Sequence, residues 1–378
     1  CHAGAYRLSV VLDLIKTDAI SLLRGNQSEI KAIYDALNTN HKVNNSLSGK
    51  GVDGEQVEDS AIITYRLARQ INCPVVATGE EDYVSDGTRV FAVPHGHPIM
   101  TVVTGTGCLL GAVLAAFFSS YCPFMYNMSI GEFLAYALAY YGLAGESAVN
   151  VSGVKPGSFS MAFMDALYEF DDAMLLSENR IRPVVVPDQL KVYFISGTQD
   201  VGFNESHLLD IVEAACRGGA TCFQFREKGI GTLEGQQKLE LAQQLKEICA
   251  MYNVLYIIND DVDLAVAVNA DGVHVGQEDM RLEDVRNLVG NKVVGISIHS
   301  VEELHKTTVV YADCVGVGPM YTTSSKPDAQ LPCGPERIAD LRAEGLTLPC
   351  VGIGGITLNN AKPVLEAGAS GVAVISAI

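Results

Sequence analysis

Eight short apolar runs alternate with helical patterns between residues 191 and 378. Each run has the length and residue types of a buried strand, and the segments between them repeat apolar residues at helical spacing. The runs are KVYFISG, TCFQFREK, VLYIIND, GVHVGQ, VVGISIH, CVGVGPMY, PCVGIGG and GVAVISAI. Strands and helices that alternate in this way predict a (β/α)8 TIM barrel. Because the last run ends at Ile378, we expect the barrel to lack its last helix.

Residues 1–170 follow a different pattern of mixed helices and strands. CPVVATG predicts a short buried strand, whereas TGTGCLLGAVLAAFFSSY and GEFLAYALAYYGLAGESAV predict helices. Periodicity is lost over residues 171–188, which contain Pro183 and Pro187, so we expect a linker there. The chain is therefore predicted to be an α/β protein with domains at 1–170 and 189–378.

Charge and cysteine content argue against several classes of function. The chain has 26 Lys and Arg residues against 44 Asp and Glu residues, so general nucleic-acid binding is not expected. The ten cysteines form no CxxC pair, which argues against zinc and redox motifs and favours a reducing cytoplasm. Apolar segments are too short to span a bilayer and no signal peptide is recognisable, so we expect no membrane association.

Charged residues follow several of the predicted barrel strands, at the end where such barrels carry their working groups. Alternation in QFREK places Gln224, Arg226 and Lys228 on one side of the strand exit, which suits an anion with several oxygens. Ordinary exposed surface charge is the alternative. Asp260 and Asp279 follow the next two runs, and beside these cations they favour Mg²⁺ bridging to a diphosphate. Each could instead cap a helix.

Two further segments offer contacts to an anion. GPMYTTSSK supplies hydroxyls and an ammonium group in a loop, a pattern that is common in turns. GIGGIT and AVISAI occupy the seventh and eighth strand ends, where barrels frequently bind phosphate through backbone N–H groups. Gly355 would allow the backbone to approach such a ligand closely.

From Lys191 to Ile378 the sequence closely resembles thiamine phosphate synthase. The motifs are QFREK, IINDDVDLA, ADGVHVGQEDM, GISIHS, GPMYTTSSKPDA, VGIGGIT and GVAVISAI. The resemblance implies that 4-amino-2-methyl-5-hydroxymethylpyrimidine diphosphate is joined to 4-methyl-5-(2-hydroxyethyl)thiazole phosphate, with release of diphosphate. It also implies that Asp260 and Asp279 hold Mg²⁺.

The same resemblance implies two sets of substrate contacts. The pyrimidine diphosphate would bind Gln224, Phe225, Arg226, Glu227, Lys228, Asn259, Ser297 and Lys326. The thiazole phosphate would bind Thr323, Ser324, Ser325, Gly355, Ile375 and Ser376. Arg226, Lys228, Ser297 and Lys326 are the catalytic candidates, and Ser325 stands where the family often has threonine.

Three other interpretations remain open for this half. A thiazole tautomerase shares the barrel without needing the pyrimidine diphosphate, although QFREK, Asn259, Asp260 and Asp279 argue against it. A non-catalytic sensor of thiamine precursors could keep the phosphate site, but it would have little use for two metal-binding carboxylates. A phosphate-binding barrel of another pathway would not explain the first half of the chain.

In the first half, VVTGTGCLLGAVLAAF places Thr104, Gly105, Thr106, Gly107 and Cys108 at a helix N-terminus. Such a terminus can bind an anion through its N–H groups. The spacing fits neither the dinucleotide GxGxxG motif nor a P-loop. The alternative is close helix packing through small residues.

Residues 1–170 resemble hydroxyethylthiazole kinase, of the ribokinase-like superfamily, on LLRGNQSEI, VVATGEEDYVSDG, HAGAYR, GKGVD and KPGSFSMAFMDALYEF. The resemblance implies that Arg24 and Thr78 contact ATP and that Gly105 lies at the thiazole. Asn26 and Glu29 would organise Mg²⁺ and phosphates. Cys108 stands where much of the superfamily has an aspartate base and is the catalytic candidate, although a buried cysteine would be inert packing.

The kinase resemblance begins part-way into that family, so we expect a truncated ribokinase-like domain that is inactive in this fragment. The resemblance to the kinase also allows a homo-oligomer that forms through the kinase domain. The product of the kinase is a substrate of the synthase, so the two resemblances together predict a bifunctional protein of thiamine biosynthesis. Its partners would be small molecules: the pyrimidine diphosphate, the thiazole phosphate, the thiazole alcohol and ATP.

Overall fold

The computed structural model describes residues 5–38, 55–122, 128–169, 171–323 and 331–376. The chain divides into two compact units, residues 1–184 and 185–378. Each unit has its own hydrophobic core, so the two are described separately.

The N-terminal unit is built on a five-stranded sheet. In sheet order its strands are β1 (Leu23–Asn26), β2 (Val75–Thr78), β3 (Asp82–Ser85), β4 (Val90–Val93) and β5 (Arg182–Pro183). β1 and β2 are parallel, and the other neighbouring pairs are antiparallel. The described helices are α1 (Ala5–Ile15), α2 (Gln27–Asn38), α3 (Glu55–Ile71), α4 (Ile99–Val102), α5 (Thr106–Ser120), α6 (Ile130–Ser152), α7 (Pro156–Glu169) and α8 (Asp172–Glu178). The predicted CPVVATG strand is confirmed as β2, and the two predicted helices are confirmed as α5 and α6.

Helix α6 forms the centre of this unit's core, which is why its sequence is apolar on nearly every face. Ser129 caps the helix by accepting a hydrogen bond from the N–H of Glu132. Leu134 and Leu138 are buried, and the helix packs against α5, α7, β3 and β4. Gly142 lets the chain after β4 come close, because a Cβ there would lie 2.5 Å from that of His95.

The stretch at 171–188, which we predict as a linker, contains regular structure. Asp171 caps α8 by accepting a hydrogen bond from the N–H of Ala173. β5 then pairs with β4, and its Pro183 is tolerated because β5 is an edge strand. A 3₁₀ turn follows at Pro187–Leu190.

The C-terminal unit is a closed barrel of eight parallel strands, and this confirms the predicted TIM barrel. Its strands are β6 (Val192–Ser196), β7 (Cys222–Phe225), β8 (Leu255–Asn259), β9 (Gly272–Val275), β10 (Val293–Ile298), β11 (Cys314–Val317), β12 (Cys350–Ile353) and β13 (Gly371–Val374). The described helices are α9 (Glu205–Arg217), α10 (Gly235–Met251), α11 (Val262–Ala267), α12 (Leu282–Val289), α13 (Val301–Lys306), α14 (Glu336–Ala343) and α15 (Ala361–Glu366). β13 pairs with β6 and closes the ring.

Alternation along the strands separates two apolar layers in this unit. In β8, Leu255 and Ile257 belong to the layer inside the barrel, whereas Tyr256 and Ile258 belong to the layer between strands and helices. The next inward position of β8 is Asn259, so the interior changes from apolar to polar at the carboxyl ends of the strands. This change defines where a site can form.

Candidate active sites

Four charged side chains meet at the carboxyl end of the barrel. The Nζ atom of Lys228, which follows β7, lies 2.7 Å from a carboxylate oxygen of Asp260, which follows β8. The carboxyl group of Asp260 also interacts with that of Asp279, which follows β9. Arg226 acts on Lys228 as a neighbouring positive charge. The structure therefore brings together the charged residues that the sequence predicts at these strand ends.

The backbone at Asp260 has a left-handed conformation, with φ at 61°. Aspartate and asparagine tolerate this conformation better than most other residues do. The N–H of Asp260 donates to the carbonyl oxygen of His274 at 2.8 Å, which fixes the chain at this point.

The helix-capping alternative does not apply to either carboxylate. The N-cap of α11 is Asp261, whose side chain accepts a hydrogen bond from the N–H of Leu264. Asp279 instead accepts from the N–H of Gly276 at 2.8 Å, within the loop that follows β9. The N-cap of α12 is Arg281.

The electrostatics of this group suit a divalent cation. Burial raises the pKa of Asp260, Lys228 opposes that shift, and the adjacent Asp279 adds to it. A cation beside both carboxylates would offset their mutual repulsion. Among the described residues, no cluster of three or more His, Cys, Asp and Glu side chains could hold a metal. Two carboxylates are nevertheless enough for Mg²⁺, which commonly keeps water ligands and takes further oxygens from substrate phosphates.

Ser297 of β10 is held by two contacts from β9 and the loop after it. Its hydroxyl lies 3.0 Å from Nε2 of His274, and its carbonyl oxygen accepts from the side-chain amide of Gln277 at 2.6 Å. The imidazole fits inside the barrel because the neighbouring strands carry glycines. A Cβ at Gly295 would overlap Nδ1 of His274, and a Cβ at Gly316 would lie 3.2 Å from its ring.

Gln224 and Asn259 complete a polar layer inside the mouth of the barrel. Gln224 is 3% exposed, and its Nε2 donates to the hydroxyl of Tyr193 at 2.8 Å. Asn259 is the last residue of β8 and lies opposite His274 in the strand register. These side chains lie above the apolar interior and below the charged group, where the ring of a substrate could be enclosed.

Two residues of the QFREK motif face away from this mouth, contrary to the expectation that they contact the substrate. Phe225 is 1% exposed and packs in the layer between strands and helices, because alternation turns it opposite to Gln224. The carboxylate of Glu227 accepts hydrogen bonds from the N–H groups of Thr198 and Leu233, at 2.8 and 2.9 Å. Phe225 is therefore a core residue, and Glu227 joins two loops.

In addition to the charged group, the barrel has a cavity of about 280 Å³ at the ends of β11, β12 and β13. Its lining includes Thr323, Gly355, Ile375 and Ser376, which are four of the residues predicted at the thiazole phosphate. Gly355 has φ at 62°, and a Cβ there would lie 2.5 Å from the carbonyl oxygen of Thr322. Glycine is therefore needed for this close approach of two loops. The predicted Ser324, Ser325 and Lys326 lie outside the described residues.

In the N-terminal unit, Arg24 joins the end of β2 to the start of α5. Its guanidinium donates to the carbonyl oxygen of Gly107 at 3.0 Å and to the hydroxyl of Thr78 at 3.3 Å. β1 and β2 are parallel, with Arg24 and Asn26 opposite Val76 and Thr78. The predicted ATP contacts, Arg24 and Thr78, therefore lie together and beside the glycine-rich helix start. The GKGVD motif at 49–53 lies outside the described residues.

Asn26 and Glu29 form a reciprocal cap at the start of α2. The N–H of Glu29 donates to the side chain of Asn26 at 2.8 Å, and the N–H of Asn26 donates to the carboxylate of Glu29 at 2.9 Å. This is the capping-box arrangement, which satisfies the free N–H groups of a helix N-terminus. Capping of α2 is enough to explain why Asn26 and Glu29 are three residues apart. Their role in organising Mg²⁺ and phosphates stays a prediction.

Gly105 and Cys108 are both exposed at the first turn of α5. Gly105 has φ at 100°, and among the described residues no atom lies within 4 Å of where its Cβ would be. The alternative of close packing through small residues therefore does not apply to Gly105. The inert-packing alternative for Cys108 is also wrong, because its thiol side chain faces solvent.

A cavity of about 580 Å³ borders the same strand ends of the N-terminal unit. Its lining includes Asn26, Thr78 and Gly79. Asp82 lies beside this cavity and accepts a hydrogen bond from the N–H of Gly79 at 2.9 Å. Burial raises the pKa of Asp82 to about 7, against the opposing effects of that hydrogen bond and of Arg24. Arg24 is linked to the cavity through its hydrogen bond to Thr78, and Asp82 is linked to it through Gly79.

Three residues that hold the barrel site together were not predicted from the sequence. His274 and Tyr193 are the polar residues that contact Ser297 and Gln224, and strand alternation in GVHVGQ and KVYFISG would have placed both inside the barrel. Lys238 of α10 forms an ion pair of 2.7 Å with Asp261 and so anchors the residue next to Asp260. No signal in the sequence pairs a lysine of α10 with that position.

Family models match both units of the chain. A model described as Hydroxyethylthiazole kinase family matches residues 1–173, and one described as Thiamine monophosphate synthase matches residues 192–378. A "Thiamine biosynthesis bifunctional protein ThiM/ThiE" from Symbiobacterium thermophilum is 38% identical over 381 residues, covering 98% of this chain and 74% of that protein. The chain belongs to the bifunctional ThiM/ThiE family.

The C-terminal unit of the chain also resembles shorter proteins. A thiamine-phosphate synthase from Geobacillus kaustophilus is 51% identical over 199 residues, covering 53% of this chain and 89% of that protein. A solved structure of a thiamine phosphate pyrophosphorylase from Pyrococcus furiosus is 34% identical, covers 51% of this chain and 88% of that one, and has a TM-score of 0.45.

The two family matches within one chain, together with the similarity to a bifunctional protein, confirm the predicted pairing of a hydroxyethylthiazole kinase domain with a thiamine-phosphate synthase domain. Both families imply small-molecule substrates. In the part of the chain that the structure describes, no helix combines the length and the apolar character needed to cross a bilayer.

Proposed function

We propose that the C-terminal unit joins the pyrimidine diphosphate to the thiazole phosphate, with release of diphosphate and formation of thiamine phosphate. The observation that carries this proposal is the group formed by Lys228, Asp260 and Asp279, with Arg226 beside it. Cations and carboxylates on successive strand ends are what a diphosphate leaving group and its counter-ion require.

The polar layer below this group would bind and orient the pyrimidine. Gln224, Asn259 and Ser297 face the mouth of the barrel, and His274 holds the hydroxyl of Ser297. The apolar interior beneath them excludes water from one face of the ring. In this arrangement the methylene carbon that carries the diphosphate lies between the polar layer and the cations.

The reaction would begin with cleavage of the C–O bond between the methylene carbon and the diphosphate. The bonding electron pair leaves with the diphosphate, and Arg226 and Lys228 stabilise the negative charge that grows on its oxygens. Asp260 and Asp279 would hold Mg²⁺, which when bound supplies further positive charge to the leaving group. The thiazole nitrogen then donates its lone pair to the methylene carbon and forms the new C–N bond. None of these steps needs a general base.

The cavity lined by Thr323, Gly355, Ile375 and Ser376 would bind the phosphate of the thiazole substrate. Backbone N–H groups in a glycine-rich turn suit a phosphate. By the resemblance, Ser324 and Ser325 would contribute further contacts to the thiazole phosphate, and Lys326 would contact the pyrimidine diphosphate.

We propose that the N-terminal unit is the kinase domain of a bifunctional protein that phosphorylates the thiazole alcohol with ATP and so supplies the second substrate of the synthase, although we expect no turnover from this fragment. The support is the contact between Arg24, Thr78 and Gly107, which places a cation beside a helix N-terminus and a large cavity. Cys108 is accessible at the same turn. Mg²⁺ would accompany ATP, with Asn26 and Glu29 nearby.

The synthase proposal is tested by incubating the chain with both substrates and Mg²⁺. We expect thiamine phosphate and diphosphate in equal amounts. Binding of the pyrimidine diphosphate without any turnover would favour the sensor alternative and contradict the proposal. For the kinase, the thiazole alcohol and ATP replace the thiazole phosphate, and the measured product is thiazole phosphate. We expect no thiazole phosphate from this fragment, whose kinase domain is predicted to be truncated, but we expect it to bind ATP. No binding of ATP would contradict that second assignment, and efficient phosphorylation would contradict the expected inactivity.

A further inference from the structure

The residue between the two diphosphate-binding cations points in a different direction from both. Glu227 lies between Arg226 and Lys228 in the chain, immediately after β7. Its carboxylate is turned towards the loop that follows β6, where it accepts hydrogen bonds from the N–H and the hydroxyl of Thr198. It also accepts from the N–H of Leu233, at the far end of its own loop. Both carboxylate oxygens of Glu227 are therefore engaged within the protein.

Further bonds join the same two loops at the same level. The side-chain amide of Gln199 donates to the carbonyl oxygen of Arg226 at 2.8 Å, and the N–H of Arg226 donates to the carbonyl oxygen of Ser196 at 2.9 Å. A Cβ at Gly197 would overlap the carbonyl oxygen of Arg226, so the loops are in direct contact. The backbone of Arg226 is thus held on both sides, and Glu227 fixes the residue that follows it.

We propose that Glu227 is a positioning residue of the synthase. It sets the direction of the two diphosphate-binding cations, Arg226 and Lys228, without touching the substrate. This inference rests on the proposed synthase function. A carboxylate that faced the diphosphate would repel it, whereas one that holds the adjacent loop leaves only positive charge at the leaving group. Thr198, which is 1% exposed, is its fixed partner.

The direct test is E227Q, measured in the full chain. The amide keeps the shape of the carboxylate but replaces one acceptor by a donor that would face an N–H or O–H group. We expect the KM for the pyrimidine diphosphate to rise about 10-fold, since small displacements of binding groups have large effects on charged ligands. The KM for the thiazole phosphate should stay unchanged. The affinity for inorganic diphosphate, measured by calorimetry with Mg²⁺, should fall by the same factor.

A matched pair of variants at Thr198 keeps the proposal testable if E227Q fails to fold. T198V removes the hydroxyl donor at nearly constant volume, and T198S retains it. We expect T198V to weaken the binding of inorganic diphosphate and T198S to bind it like the wild type. Equal diphosphate affinities for T198V and T198S would overturn the proposal.

Two results with E227Q would also overturn it. Tighter binding of inorganic diphosphate would show that the negative charge of Glu227 faces the anion. A lower unfolding temperature with unchanged diphosphate affinity would show a role in stability alone. The wild-type chain separates this inference from the proposed function: diphosphate binding without thiamine phosphate formation contradicts only the function, whereas no binding of diphosphate contradicts both.

Discussion

The two units of the chain place their site residues by different means. In the barrel, Lys228, Asp260 and Asp279 follow three successive strands, and the parallel pairing of these strands brings their ends together. In the N-terminal unit, Arg24 reaches Gly107, which lies 83 residues further along the chain. In a repeating fold, the site residues can therefore be predicted from the strand ends. In a mixed sheet, the site depends on long-range contacts that no local sequence pattern encodes.

The substitution with the largest expected effect is D260N, which should impair the barrel and leave the N-terminal unit unaffected. Asparagine keeps the shape of the side chain and tolerates the positive φ, so the fold should be retained. Loss of the carboxylate charge should reduce synthase turnover by about 100-fold or more. The carboxylate would hold the metal that stabilises the negative charge growing on the leaving diphosphate. The measurement is kcat for thiamine phosphate formation, and the control is the affinity of the same preparation for ATP, which should not change.

D260A is the matched control for the backbone at this position. Alanine at a left-handed φ costs about 1–2 kcal/mol of stability, in addition to the loss of charge. D260A should therefore unfold at a lower temperature than D260N while losing the same turnover. Near-normal synthase rates in D260N would contradict the metal-binding role of Asp260.

The corresponding substitution in the N-terminal unit is R24M, which keeps most of the length of the side chain. It removes the donors to Gly107 and Thr78, so ATP affinity should fall by about 10- to 100-fold. Thiamine phosphate formation from supplied thiazole phosphate should not change. Calorimetric titration with ATP checks the first expectation, and unchanged ATP affinity would remove Arg24 from the site.

A smaller effect is expected from His274, the interior residue that contacts Ser297. H274N removes this contact, and synthase kcat/KM should fall by about 10-fold, as is typical for a residue that orients a binding group. If His274 acts through Ser297, the double variant H274N/S297A should be no worse than S297A alone. Additive losses in this double-mutant cycle would show that the two side chains act independently.

A further prediction concerns the pH dependence of stability in the N-terminal unit. Burial raises the pKa of Asp82 to about 7, so the folded state keeps a proton that the unfolded state releases near its ordinary value of 3.8. The folded state then binds more protons between these two values, and the free energy of unfolding should decrease as pH rises through this range. Above it, stability should become independent of this group.

D82N tests that expectation because an amide does not ionise in this range. Urea unfolding of the N-terminal unit, followed by hydrogen exchange in α6, should be less dependent on pH in D82N than in the wild type. Equal pH dependence in the two proteins would show that Asp82 is not the titrating group.

Much of the barrel could be predicted from the sequence because its strands and their ends repeat. The runs that end at Asp260 and near Asp279 gave both the fold and the location of the charged group. The left-handed backbone of Asp260 could not be predicted, since it depends on the hydrogen bond to the carbonyl of His274. Strand alternation in GVHVGQ is enough to place His274 inside the barrel, whereas its contact with Ser297 depends on the register of β9 and β10.

The motif QFREK shows what the structure adds to a family resemblance. Carried over as a block, it implied substrate contacts for Phe225 and Glu227. Physical alternation along the strand and its exit separates these residues from Gln224, Arg226 and Lys228. The N-terminal unit shows a related difficulty, because Asn26 and Glu29 fit a capping box and a phosphate site equally well by sequence.

The account depends most on paired carboxylates and adjacent cations that release diphosphate with the help of Mg²⁺. The most direct measurement follows thiamine phosphate formation by the wild-type chain from both substrates, first with Mg²⁺ and then after chelation with EDTA. We expect product and diphosphate in equal amounts with the metal, loss of turnover without it, and recovery when Mg²⁺ is restored. Turnover that persists undiminished after chelation, or no product under either condition, would contradict the account.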